Sequence, residues 1–185
     1  MNPDRINQLT PTDRKLRPGN VVYWMSRDMR VDDNWALWYA REMAKKFESG
    51  VCVVFNLVPS FKEAGARQFD FMFQGLQEVQ KRLETKNIQF TVLTGDPSET
   101  VPTFVTEHDI SLLVTDFSPL RISRTWKEQV SKNLPDSVTF QEVDAHNIIP
   151  VWVASNKQEY AARTIRPKIN KLLDAWLVEP PELYE

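Results

Sequence analysis

The sequence predicts an α/β domain: a five-stranded parallel sheet with helices on both faces, in a three-layer Rossmann-like arrangement. Three observations predict it. Short runs of β-branched and aromatic residues alternate with longer stretches of helical periodicity, the pattern of repeated βαβ units. The second strand candidate opens on Val51-Cys52-Val53-Val54-Phe55, continuously apolar as a strand covered on both faces must be. The length of 185 residues fits one domain with a core of its own, without disulfides or metals.

The elements follow in order. Residues 1–20 are polar, with prolines before Pro18-Gly19-Asn20, and read as an irregular arm. Val21–Met25 is the first strand. A polar stretch, Ser26–Asp33, leads into a helix over about Asn34–Glu48, ended by Ser49-Gly50, where glycine suits a left-handed cap. Val51–Leu57 is the second strand. Phe69, Met72, Phe73, Leu76, Val79 and Leu83 recur at spacings of three and four and place one apolar stripe on the next helix. Phe90–Thr94 is the third strand, closed by Gly95-Asp96-Pro97. Asp96 and Glu99 suggest a capping box for a helix that Pro102 complicates. Leu112–Thr115 is the fourth strand, Leu120–Ser131 a helix and Val138–Val143 the fifth strand. A last helix covers Gln158–Leu177, interrupted near Pro167.

Composition excludes several classes. One cysteine, Cys52, permits no internal disulfide, and its apolar run makes it a small buried hydrophobe. Two histidines with one cysteine argue against structural zinc. No run reaches membrane-spanning length and the N-terminus lacks a signal-peptide core, so the expectation is a cytoplasmic protein with no membrane partner. The net charge of −2 lacks the basic excess of a domain that grips DNA phosphates. Lys157, Arg163, Arg166, Lys168 and Lys171 form a local basic stretch, read either as a solvated helix face or as a surface toward another domain.

Neither a G-x-G-x-x-G fingerprint, nor a P-loop, nor a G-x-S-x-G elbow is present. Asp28, Asp32 and Asp33 follow the first strand. Helix capping and salt bridges with Arg27 and Arg30 account for them better than a metal, so no metal site is assigned.

Four segments then carry a family resemblance. Arg27-Asp28-Met29-Arg30, Asp33-Asn34 and Ala36-Leu37 follow the hydrophobic strand Tyr23-Trp24-Met25, with Ser26 between. Thr115-Asp116-Phe117-Ser118-Pro119-Leu120-Arg121 follows the fourth strand, and Glu142-Val143-Asp144-Ala145-His146-Asn147 the fifth. Glu159-Tyr160-Ala161-Ala162-Arg163-Thr164-Ile165-Arg166-Pro167-Lys168 comes last. In order and spacing these resemble the N-terminal α/β domain of the photolyase/cryptochrome family. The Tyr-Trp-Met-Ser-Arg-Asp form resembles its class II branch, which acts on cyclobutane pyrimidine dimers.

The resemblance implies a light-driven DNA-repair flavoprotein, a deoxyribodipyrimidine photo-lyase in its full-length form, that binds damaged DNA and is expected as a monomer. It implies an arm over 1–20, an antenna-binding domain over 21–150, and a connector over 151–185 toward a C-terminal FAD-binding helical domain in cis. The antenna chromophore would be a deazaflavin or a folate. FAD and the electron-transfer tryptophans would belong to the C-terminal domain, so this chain alone is expected to be inactive and no catalytic residue is assigned. Arg163, Arg166 and Lys168 are expected to face the catalytic domain, and His146 to be a turn or domain-contact residue.

The strand-end rule for open α/β sheets and these motif positions nominate the cofactor-binding residues. They are Met25, Ser26, Arg27, Asp28 and Asn34 after the first strand, Phe55 and Asn56 on the second, and Asp116, Phe117 and Ser118 after the fourth. A structural ion-pair role for Arg27, Asp28, Arg30 and Asp33 stays open beside ligand contact. Two other functions also stay open: a cryptochrome-like photoreceptor domain and a stand-alone α/β domain for a small ligand.

Overall fold

The computed structural model describes residues 1–61, 64–180 and 182–183. Six strands form one sheet: β1 (Ile6–Gln8), β2 (Asn20–Met25), β3 (Val51–Leu57), β4 (Gln89–Thr94), β5 (Ile110–Asp116) and β6 (Thr139–Val143). Their order is β1-β6-β5-β2-β3-β4. The five strands expected from sequence, β2 to β6, are all parallel to one another. The chain winds outward from β2 through β3 to β4, then crosses back to lay β5 on the other side of β2.

Between the strands run α1 (Trp35–Lys46), α2 (Ala66–Glu84), α3 (Pro97–Glu107) and α4 (Arg121–Asn133). Alternation along β2 sorts the core into two layers. Val21, Tyr23 and Met25 pack with Leu37 and Ala40 of α1 and with Val79 and Leu83 of α2. Val22 and Trp24 pack with Val101, Phe104 and Val105 of α3 and with Val130 of α4. Two helices therefore cover each face, and this three-layer arrangement leaves the strand ends as the open edge.

Several expectations change in detail. Helix α1 ends in a Schellman-type cap in which Glu48, not glycine, takes the left-handed conformation (φ 53°) and Ser49 N donates to Ala44 O at 3.0 Å. The apolar stripe of α2 divides: Leu76, Val79 and Leu83 are buried, whereas Phe69 and Met72 overhang a cleft and Phe73 is 41% exposed. Helix α3 passes through Pro102 without a break. The Ser98 carbonyl that Pro102 cannot serve accepts instead from Asn133 Nδ2 of α4 at 2.9 Å. Asp96 caps α3 by accepting from Ser98 N at 2.8 Å, with no reciprocal Glu99 bond among those described.

The N-terminal arm is not irregular. A 3₁₀ turn, Pro3–Arg5, leads into β1, which pairs antiparallel with β6 and becomes the sixth strand. Polar composition hid this strand, because an edge strand with few core contacts needs no apolar run. Arg5 shows what the arm contributes. Its guanidinium is buried and donates to the carbonyls of Asp144 (2.9 Å), Asn147 (2.8 Å) and Ile148 (2.6 Å). It also lies over the rings of Trp35 and Trp176, 4.8 and 5.1 Å from their centres. One side chain thus ties the arm, α1, the segment after β6 and the last helix together.

Beyond β6 the chain forms α5 (Val151–Ala154) and α6 (Ala162–Trp176), which is continuous through Pro167. Asp144 accepts from Val151 N at the start of α5, and a small cluster of Ile149, Ala154 and Trp176 packs the two helices together. Of the basic stretch, Arg163, Arg166 and Lys171 are exposed, while Lys168 is held by Glu159 at 2.6 Å and by Ser155 at 2.9 Å.

The Lys168 bond, with the Thr164 and Ser155 hydroxyls, pushes the Glu159 carboxyl down to about 2. A depressed carboxyl stabilises the fold above its unfolded value of about 4.3, and the contribution is lost as pH falls toward the folded value. Carboxyl-detected NMR of Glu159 should therefore show a midpoint near 2, with Lys168→Ala moving it upward. A wild-type midpoint near 4.3 would break this account.

Candidate functional site

Because β3 and β5 leave β2 in opposite directions, a crevice opens at the carboxyl ends of these strands, where open α/β sheets bind ligands. Its shape depends on Asp116, the fully buried last residue of β5. Oδ1 accepts from Arg27 N at 2.8 Å. Oδ2 accepts from Tyr23 Oη at 2.8 Å, Ser26 N at 3.0 Å and Asp28 N at 3.2 Å. Three consecutive backbone amides after β2 are thereby folded around one carboxylate.

Burial pushes the Asp116 carboxyl up, and the Arg27 and Ser26 amides, the Tyr23 hydroxyl and Lys127 oppose it. In linkage terms Asp116 adds most stability below the unfolded carboxylate range, and that contribution is lost as pH rises through its raised folded value. The four donors limit the cost of holding the charge inside. Burial, then the neighbouring Asp116 charge, raises Tyr23 well above a normal phenol, so its hydroxyl stays a donor.

The rest of the loop is tied as firmly. Asn34 Oδ1 caps α1, accepting from Ala36 N and Leu37 N, both at 3.0 Å. Its amide donates to Tyr23 Oη, Asp28 O and Arg30 O at 3.0–3.2 Å. Asp28 is buried against His146, whose Nδ1 lies 2.9 Å from Oδ1. The aspartates of this loop do not pair with Arg27 or Arg30 as the sequence suggested. Asp28 goes to His146, and Asp32 to Arg82 of α2.

Over this loop lies a cleft of about 430 Å³. Trp24, Phe55 and Trp126 supply aromatic walls, with Met25, Met29 and Met72 as thioether surface. Phe61 and Phe69 close the α2 side, and Phe61 leans on Trp126 at a ring separation of 6.0 Å. Ser26, Asn56, Gln68, Ser118 and Ser123 place polar atoms around the rim, and Arg27 is the only charged side chain among the lining residues described.

Of the sequence candidates, Met25, Ser26, Arg27, Phe55, Asn56 and Ser118 come together in this cleft. The Asn56 amide is partly engaged, donating to Gly95 O at 2.9 Å and accepting from Thr100 Oγ1. Asp28, Asn34 and Asp116 do not line the cleft; they are the buried polar groups that shape it. Phe117 points into a neighbouring shallow depression and meets Trp152 edge-on at 5.6 Å. Beside it the buried Lys127 donates to Asp116 O at 2.6 Å and Glu142 Oε2 at 3.0 Å. Sequence reasoning missed the α2 and α4 contributions, Phe69, Met72 and Trp126. The apolar stripe of α2 contained the first two, yet periodicity cannot tell a cleft wall from core.

Among the described residues no cluster of three or more His, Cys, Asp or Glu could hold a metal ion, and no helix is long and apolar enough to cross a membrane.

Comparison with known proteins adds the following. The DNA photolyase family model matches residues 21–184. A deoxyribodipyrimidine photo-lyase of Arabidopsis thaliana is 51% identical over 173 residues, 94% of this chain and 34% of that protein. One from Potorous tridactylus is 51% identical over 160 residues, 86% of this chain and 30% of that protein. Another, from Methanothermobacter thermautotrophicus, is 34% identical over 175 residues, 95% of this chain and 38% of that protein. A crystal structure of a bacterial class III photolyase from Agrobacterium tumefaciens shares the fold, with TM-score 0.57 and 20% identity over 72% of this chain and 27% of that one. The chain spans about a third of the length of the curated relatives named here.

Asp116→Asn tests the organising role of the carboxylate. The substitution turns one acceptor oxygen into a donor facing backbone N–H groups, and a loss of roughly 2–4 kcal/mol in urea unfolding is expected. Amide exchange at Ser26, Arg27 and Asp28 should accelerate more than exchange in β4. Unchanged exchange at those three amides would show that the loop holds its shape without Asp116.

Proposed function

The chain belongs to the DNA photolyase family, and on that premise we propose that it is the N-terminal α/β domain of a class II deoxyribodipyrimidine photo-lyase that holds an antenna chromophore. The full-length protein would be a cytoplasmic monomer that repairs damaged DNA in light. Residues from Val151 onward would connect to a C-terminal helical domain carrying FAD, and this chain alone would be inactive.

One observation carries the antenna reading: the cleft over the Asp116-organised loop has aromatic and thioether walls and a sparse polar rim. Its volume falls within the roughly 300–1,000 Å³ of small-ligand sites. The flat ring system of a deazaflavin or a folate fits a site of this kind. Trp24, Phe55 and Trp126 would contact its faces or edges, and Ser26, Gln68 and Ser118 would serve its polar atoms.

Bound there, the chromophore would absorb light and pass the excitation to the flavin. The residues of this chain would hold and orient it and exclude water. Dipolar transfer needs a fixed orientation, and a loop tied through Asp116 and Asn34 supplies one.

Expression in a host that makes deazaflavin tests the proposal. The purified chain should carry a near-stoichiometric visible absorption band, lost in Trp126→Asp, which places a carboxylate against the ring. A colourless protein from that host, or an undiminished band in the variant, would count against it.

A further inference from the structure

Arg27 stands apart from the other residues of the cleft. It is the only charged side chain among the lining residues described, and it is half-buried. Its backbone is fixed by the 2.8 Å bond from its N–H to Asp116, yet its guanidinium makes no hydrogen bond or ion pair among those described. The acids of its own loop are engaged elsewhere, Asp28 with His146 and Asp32 with Arg82, while Asp33 has no described ion pair. Asp116 faces backbone amides and Tyr23.

A guanidinium brought against aromatic and thioether surface gives up part of its hydration, and a neutral ligand would deepen that loss. An anion on the ligand would reverse it, since the planar fork of arginine pairs well with carboxylate, phosphate or ionised ring oxygen. The same wall sets an upper limit. A second anionic group would lie against apolar residues with no further cation in the described lining to balance it.

We propose that Arg27 is the specificity-determining residue of the cleft, making it selective for a planar heteroaromatic ligand with one anionic group. The inference rests on the reading that this cleft holds a planar chromophore. It adds the charge the ligand must carry.

Flavins serve as probes, because riboflavin and FMN share one ring system and differ by a single phosphate. Binding of each to the chain is measured by fluorescence titration, with triglutamyl folate as a polyanion. FMN should bind about tenfold or more tighter than riboflavin, and the polyanion should gain nothing beyond one charge. Arg27→Gln keeps the backbone N–H that Asp116 needs. It should bring FMN down to the riboflavin affinity and leave riboflavin unchanged, while Arg27→Lys recovers part of the difference.

Equal affinities of the wild type for riboflavin and FMN would overturn the role of Arg27 while leaving the chromophore site standing. So would an equal loss for both in Arg27→Gln. Failure of all three probes to bind would instead remove the planar-ligand reading and this inference with it.

Discussion

A carboxylate buried at the end of β5 is the constraint on which the cleft depends. Asp116, the last residue of β5, meets the loop that leaves the neighbouring strand β2. Burying a charge is costly unless hydrogen bonds surround it. Four donors surround this one, three of them backbone amides of residues 26–28. The exchange fixes the loop without any of the glycines that phosphate-binding loops use. It also consumes those amides, so the cleft above presents side chains to a ligand and not a ring of N–H groups. An apolar, aromatic site follows from that choice.

Arg5 works in the opposite sense on the segment after β6. A buried cation collects three carbonyls of the segment after β6 and sits between two tryptophans. Through Trp176 it reaches α6, and through β1 it closes the β6 edge of the sheet. The segment after β6 is linked back to the cleft by the His146–Asp28 pair. The loop of the cleft and the C-terminal helices are thereby mechanically continuous, although they lie far apart in sequence.

Much of this was legible in the sequence. The parallel strands read clearly because each carries a β-branched or apolar run, buried through the middle of the sheet and only half-covered in the edge strand β4, and Val51–Leu57 was bounded to the residue. The strand-end rule pointed to the crevice over the loop after β2, and Met25, Ser26, Arg27, Phe55, Asn56 and Ser118 all line the cleft there. What stayed hidden has physical causes. Strand β1 is a three-residue polar edge held by pairing alone. Asp116, Asn34 and Asp28 resemble ligand contacts in sequence because buried polar scaffolding and exposed binding groups use the same residue types. Phe69, Met72 and Trp126 come from helices whose apolar faces serve core and cleft at once. Phe117 and Ser118 are adjacent, yet they face different depressions.

The central claim is that the cleft organised by Asp116, between β2, β3 and α4, is the chromophore seat. A crystal structure of the chain grown with FMN tests it most directly. The account predicts the ring in the cleft against Trp24, Phe55 and Trp126, its phosphate at Arg27, and the bonds of Asp116 to residues 26–28 unchanged. A ring seated in the depression beside Phe117 and Trp152 would contradict it, whereas a phosphate turned away from Arg27 with the ring in the cleft would overturn only the role of Arg27.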